Sequence, residues 1–333
     1  MTKEPVAVRV AFIPAPSDRN AMKLSSKALP TLSILAISLA WLAACGDSGD
    51  ETPTPTPIPT VEPAVGMTVH FIDVGQGDAT LIVAKDGESL LVDGGPSRET
   101  IRDRLTHLGV TDLDAVLATH PDPEHIGGLV EVLDMFDVEQ FYWNGHASEN
   151  QIFLDLMKAA EAEAELTVSR RGDTIELGNV TIKVLHPVDL SDQLDEDSIV
   201  LEVHCGNAGI LMTADVGTSS EAKMLRAGVL SRGIDIYKVG NHGSKSSTAA
   251  HLLSQTTPGT QASDSSHRAL QIAVISAGRT NEYGYPDKEV IDRLKITGSP
   301  VWRTDVSSGD DTVTAVSDCE TVSISQPLPA PSQ

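Results

Sequence analysis

The sequence predicts an α+β fold of four layers, with helices outside two facing mixed sheets in an αββα order, and three observations carry that expectation. From Met67 onward the chain mixes short β-rich runs with helical patterns instead of grouping them separately. A strand–Asp–helix–strand–His unit occurs twice, with 27 positions from Asp93 to His120 and again 27 from Asp215 to His242. The residues that end these strands are polar, and strand ends are where α/β structures gather ligands. Two similar βαβ-containing halves whose polar ends meet would produce such an arrangement.

Each element has a local reason. "MTVHFIDV", "ATLIVA" and "SLLVD" read as strands of a meander, and Asp86-Gly87 predicts a tight two-residue turn between the last two. "SRETIRDRLTHLG" reads as a helix, with Ser97 as N-cap, Ile101, Leu105 and Leu108 at helical spacing, and Gly109 as its stop. The strand "LDAVLAT" then delivers His120. In "THPDPEHIGG" Pro121 and Pro123 are expected to keep the chain out of helix, so that side chains 120 and 122 point the same way. His125 and the glycine pair are expected to start the helix "HIGGLVEVLDMF". The second half repeats the plan with the strand "GILMTADVG", the helix "SSEAKMLRAGVL", the strand "IDIYKVG" and the loop "NHGSKSS".

The 333 residues suffice for one large domain or two small ones, and 40% hydrophobic content supports a real core. The formal charge is −23, and residues 1–44, with five Lys/Arg against two Asp/Glu, leave −26 on the rest. Such a surface repels polyanions at long range. "MKLSSKALPTLSILAISLAWLAAC" has a basic start at Met22, an apolar run too short to span a bilayer, and small residues before Cys45. Its ending resembles the lipobox of bacterial lipoproteins, which implies cleavage before Cys45, a lipid on its thiol, and an extracytoplasmic protein anchored to the membrane. On this reading residues 1–44 are a signal, with 1–21 as a start-site artefact. The Pro/Thr-rich residues 45–66 are then a tether, 67–325 the folded domain, and 326–333 a tail. Cys205 and Cys319 are compatible with one disulfide or with two buried thiols.

Imidazole and carboxylate are the ligand types that zinc and manganese accept, and the cluster at 120–125 supplies four of them. A solvated loop in which Asp122 or Glu124 caps a helix is the alternative. No Walker-type loop, dinucleotide fingerprint or nucleophile elbow is present in the sequence. His107, His146, His186, His204 and His251 fall outside every motif.

In order along the chain, "FIDVGQGDATLI", "LLVDGG", "THPDPEHIGG", "DSIVL", "TADVG", "KVGNHGSKSS", "NEYGYP" and "VWRTDVSSGD" resemble the metallo-β-lactamase-like domain of ComEC-type competence proteins and its stand-alone secreted relatives. The resemblance implies two divalent metal ions, zinc first and manganese second. His120 and Asp122 would hold one ion and Glu124 and His125 the other, with Asp215 bridging and His242 completing the site. Asp215 and Glu124 would serve catalysis through a metal-bridging hydroxide. Asp93 would steady the ligands from behind, Gln76 and Asp78 would lie on the rim, and Ser198, Asn241, Lys245 and Tyr285 would support the site or meet substrate. Lys238, Arg279 and Arg303 stand where they could meet phosphates. The chain departs from the family pattern at Glu124 (usually Asp), Asn241 (usually His), Asp195–Asp197 (usually Asn-rich) and Tyr285 (usually His). The implied function is a surface-tethered metal-dependent hydrolase, a phosphodiesterase or nuclease acting on small phosphodiesters or short nucleic acid, with no obligate protein partner. Hydrolysis of another ester or lactone, or a non-catalytic metal-binding lipoprotein, are the alternatives.

Overall fold

In the computed structural model residues 65–231, 233–256 and 272–325 are described, so the signal segment, Cys45, most of the tether and the tail lie outside the described residues. The first sheet has eight strands in the order Val322–Ile324, Val313–Ser317, Met67–Phe71, Thr80–Ala84, Ser89–Val92, Ala115–Ala118, Gln140–Trp143 and Glu165–Val168. The second has seven, Val301–Arg303, Ile272–Ile275, Ile236–Lys238, Ala208–Met212, Val200–Cys205, Val180–His186 and Thr174–Leu177. Each sheet contains a parallel run and an antiparallel run, as mixed sheets do.

The two-residue period of a strand divides its side chains between two cores. Leu90, Val92 and Leu117 point inward to Val184, Leu201, Ile210 and Ile236 of the facing sheet. Their neighbours Leu91 and Val116 point outward to Ile101, Leu105, Leu129 and Leu133, on the helices Arg98–His107 and Leu129–Met135. The other sheet does the same, with Leu211 and Tyr237 facing Met224, Leu253, Val290 and Leu294 of the helices Thr218–Ala227, Ala250–Thr256 and Lys288–Thr297. The expected αββα architecture is therefore present, with its central core between the sheets. A disulfide between Cys205 and Cys319, Cα atoms 4.7 Å apart, ties the second sheet to the segment following Val313–Ser317 of the first.

Two local expectations are corrected. The turn after Thr80–Ala84 has three residues, because Ala84 N donates to Glu88 O (2.8 Å) and Gly87 N to Ala84 O (3.1 Å). Gly87 at φ 100 supplies the positive-φ third position that this longer hairpin loop needs. Pro123 does not exclude helix but opens one, Pro123–Ile126, because a first-turn residue has no intrahelical N–H bond to lose. Asp122 caps that turn by accepting from Glu124 N at 2.9 Å. A second helix, Leu129–Met135, follows after Gly127-Gly128. Here glycine is required by crowding: a Cβ on Gly127 would lie 2.4 Å from Pro96 O, and one on Gly128 2.3 Å from Gly94 O. The bonds Gly94 N to His125 O (2.7 Å) and Gly128 N to Gly95 O (2.9 Å) clamp the histidine loop onto the loop that carries Asp93.

Candidate metal centre

The parallel pairs Val92↔Leu117 and Met212↔Lys238 end at the loops that hold Asp93 and His120 in one half and Asp215 and His242 in the other. Three histidines meet there with a common division of their rings. His125 Nδ1 is 2.8 Å from Asp93 Oδ2, His120 Nδ1 is 3.0 Å from Thr119 Oγ1, and His242 Nδ1 is 3.2 Å from Ser276 O and 3.3 Å from Asp78 Oδ1. All three Nε2 atoms, together with Asp215 Oδ1, are buried with no hydrogen-bond partner. Buried polar atoms are rarely left unpaired, and four on one centre point to a cation as their partner. Asp215 Oδ2 lies 3.4 Å from both His125 Nε2 and His242 Nε2. Ligand-type atoms of His120, His125 and Asp215 lie within 4.8 Å of one another, as do those of Asp78, Asp215 and His242.

Asp93 stands behind this centre. Its Oδ1 accepts from Thr119 N and its Oδ2 from Thr119 Oγ1, both at 2.8 Å, so the carboxylate fixes His125 directly and His120 through Thr119. Bonds of this kind orient a neighbouring imidazole from behind, and Asp93 also forms with Asp78 and His125 a third group of ligand-type atoms within 4.8 Å of one another. Burial and the Asp215 and Asp93 carboxylates act against each other on His125, and the carboxylates win, holding its proton well above the usual imidazole range. In the same way burial is outweighed at His242 by Asp215 and Asp78, which lift it to about 10. His120, buried beside His125, is held down to about 3. For Asp215, burial is overcome by His242 and His125, and its carboxyl stays well below its ordinary range.

Other residues fall less close to expectation. Asp78 is buried and not on the rim: Lys238, 1% exposed, donates to both its oxygens at 2.8 and 2.7 Å. That bond also removes Lys238 from any contact with phosphate. Glu124 lies outside the groups just named; Gln76 Nε2 donates to its Oε2 at 3.0 Å, and the same oxygen is 3.5 Å from His242 Nε2. Gln76 also accepts from Gly278 N, so it braces the rim. Asn241 reaches only the backbone oxygen of Asp215, at 3.4 Å, and Tyr285 stacks on Tyr283 with ring centroids 5.3 Å apart. Ser198 bonds back to Asp195 O at 2.7 Å. Lys245 and Arg279 are exposed, and Arg303 is engaged by Asp305 at 2.7 and 2.5 Å. Asp195, at one of the departures from the family pattern, is exposed and has its carboxylate within 4.8 Å of ligand-type atoms of His120 and Asp122. A carboxylate in the position of an amide, just before the strand "IVLEVHC", was its only trace in the sequence.

Residues 72–261 match the pattern described as the metallo-beta-lactamase superfamily. Among curated proteins the chain is 29% identical over 259 residues to ComE operon protein 3 of Bacillus subtilis, covering 71% of this chain and 32% of that protein. It is 30% identical over 247 residues to Recombination protein 2 of Haemophilus influenzae, covering 72% and 28%. The chain thus spans about a third of the length of the curated relatives it matches. Among solved structures it is similar to the metallo-beta-lactamase fold protein YhfI of Bacillus subtilis, at 13% identity and a TM-score of 0.47 over 72% of this chain and 97% of that one. With the superfamily pattern running through more than half of its length and the histidine–aspartate centre in place, the chain belongs to the metallo-β-lactamase superfamily.

Proposed function

We propose that the protein is a metal-dependent hydrolase whose substrates are small phosphodiesters or short single strands. The observation that carries this reading is that the Nε2 atoms of His120, His125 and His242 and Oδ1 of Asp215 are all buried without a hydrogen-bond partner, in two ligand-type groups that share Asp215. His120, Asp122, His125, Asp215 and His242 would hold the cations, with Glu124 close enough to His242 to join them. Divalent cations bound there lower the pKa of water and neutralise charge at the attacked centre. Asp215, between His125 and His242, fixes the spacing of their nitrogens, while Asp93 and Ser276 O hold the rings from behind. Lys238 is consumed by Asp78 and Arg303 by Asp305, so few cationic side chains are left to grip a polyanion. Together with the formal charge of −23, this favours small substrates over long duplexes.

The test is elemental analysis of the purified protein followed by hydrolysis of bis-p-nitrophenyl phosphate and of a short single-stranded DNA at several zinc and manganese concentrations. At least one equivalent of metal and turnover of one substrate are expected. Asp215→Ala should lower turnover about 10³-fold or more, about 4 kcal/mol of barrier. Metal below one equivalent even after reconstitution would sink the reading. A metal-loaded protein inactive on both substrates would move it to another ester class or to metal binding alone, which Asn241 and Tyr285, neither of them an imidazole, would then explain.

A further inference from the structure

We infer that Tyr283 and Tyr285 form a stacking platform for one nucleobase of the substrate, so that the protein selects nucleotide phosphodiesters over base-free ones. The inference rests on the hydrolase reading above and adds to it the group that recognises the substrate beside its phosphate. The chain has four tyrosines. Tyr142 and Tyr237 pack in the cores, whereas Tyr283, 51% exposed, and the half-buried Tyr285 stand together on one loop. Their rings lie nearly parallel, at 14° with centroids 5.3 Å apart, the offset arrangement that aromatic pairs prefer. A planar ring laid on the exposed Tyr283 would extend that stack to three.

The loop that carries the pair is fastened to both halves of the centre. Asn281 Nδ2 donates to Gly278 O and Tyr285 O at 2.7 and 2.8 Å, and Asn281 Oδ1 accepts from Tyr285 N at 2.9 Å. Gly278 N donates to Gln76 Oε1, and Gln76 Nε2 donates to Glu124. At the other end Asp287 N donates to Gly243 O at 2.9 Å, and Pro286 packs so closely that a Cβ on Gly243 would lie 2.5 Å from its own Cβ. The Tyr283 hydroxyl donates to Glu124, whose carboxylate is 3.5 Å from His242 Nε2. The platform is thus set before substrate arrives, one residue away from an unpartnered imidazole nitrogen of the centre. Stacking on an aromatic ring needs no cation and accepts any base, because every base has a π face. That suits a chain of formal charge −23 whose Lys238 and Arg303 are already engaged by carboxylates.

The test is calorimetric titration of the metal-loaded full chain with adenosine 5′-monophosphate and with ribose 5-phosphate, which differ only in the base. Wild type should bind the nucleotide at least about fivefold more tightly, the lower end of what one stacked base contributes. Tyr283→Leu and Tyr285→Leu should each bring that ratio towards one, whereas Tyr283→Phe and Tyr285→Phe, which keep the rings, should preserve it. The p-nitrophenyl ester of thymidine 5′-monophosphate should show the same preference over methyl p-nitrophenyl phosphate in kcat/KM. Circular dichroism and metal content check the fold of each variant. Equal affinity for the two phosphates in wild type, or a nucleotide preference that survives both leucine variants, overturns the platform, and turnover of methyl p-nitrophenyl phosphate then leaves the hydrolase reading standing. A metal-loaded wild type that binds neither phosphate also overturns the platform. A wild type that takes up no metal overturns the hydrolase reading and this proposal together.

Discussion

Replacing Lys238 by methionine tests whether the buried pair beneath the centre is as tightly balanced as its geometry implies. Methionine keeps most of the apolar stem and removes the charge, leaving Asp78, 5% exposed, with His242 Nδ1 at 3.3 Å as its remaining charged partner. Removing one member of a buried ion pair costs about 3–5 kcal/mol, because the survivor is left without compensation in a poor solvent. At about 2–4 °C per kcal/mol for a domain near this size, the melting temperature should fall about 6–20 °C. The pH dependence has a definite sign. Burial alone would push the Asp78 carboxyl up, but Lys238 and then His242 hold it well below its ordinary value. The wild-type pair therefore contributes its stability above about pH 4, the unfolded carboxylate value, and loses it only as pH falls through the lower folded value. Without Lys238, Asp78 takes up a proton at higher pH, and the neutral acid is cheaper to bury. The gap between wild type and Lys238→Met should thus narrow from pH 7 to pH 5. Urea unfolding of chelator-treated protein, followed by tryptophan fluorescence at several pH values, measures it. A further Asp78→Asn substitution should recover part of the loss. A deficit under 1 kcal/mol, or a gap that widens in acid, would refute the reasoning.

Three further outcomes are expected. Because neighbouring carboxylates hold the His125 proton well above the usual imidazole range and that of His242 to about 10, metal uptake at pH 7 should release protons and tighten as pH rises; calorimetry in buffers of different ionisation enthalpy counts them, and zero release would contradict the ligand assignment. Reducing the Cys205–Cys319 bond, which closes a separation of 114 residues, should cost about 4–5 kcal/mol on the chain-entropy estimate, seen as a lower urea midpoint with dithiothreitol. In the native host, mass spectrometry of the membrane fraction should find a lipid-modified peptide beginning at Cys45, and a mature terminus elsewhere would exclude the anchor.

Much of this architecture is legible in the sequence because it depends on local rules. Leu90, Leu91 and Val92 alternate between two cores by strand period, and Ser97 accepts from Thr100 N as a cap of its kind should. The equal spacing of Asp93–His120 and Asp215–His242 follows from two parallel strand pairs with a helix between their members. The equivalence stops at chemistry, however: Asp93 faces the Nδ1 side of His125, while Asp215 faces the Nε2 side of His125 and His242. That difference is decided by how the halves dock. So is the burial of Asp78 on Lys238, 160 positions away, whereas the capture of Glu124 by Gln76 joins two loops of the same half. Pro123 departs from the expectation for a local reason, since a proline that breaks a helix interior fits its first turn.

The proposed centre would draw His120, Asp122 and His125 from one half of the chain and Asp215 and His242 from the other. A nascent chain that ends before Asp215 would hold a partial ligand set and no way to close it, however well its first sheet had formed. Cation uptake would then be a late event that reports on the docking of both halves, and a metal-sensitive probe during refolding should lag behind the appearance of β structure. Proteases that meet the polypeptide before that moment would meet it without its cations, so the metal supply of the compartment would bear on how much protein survives as well as on how much of it is active.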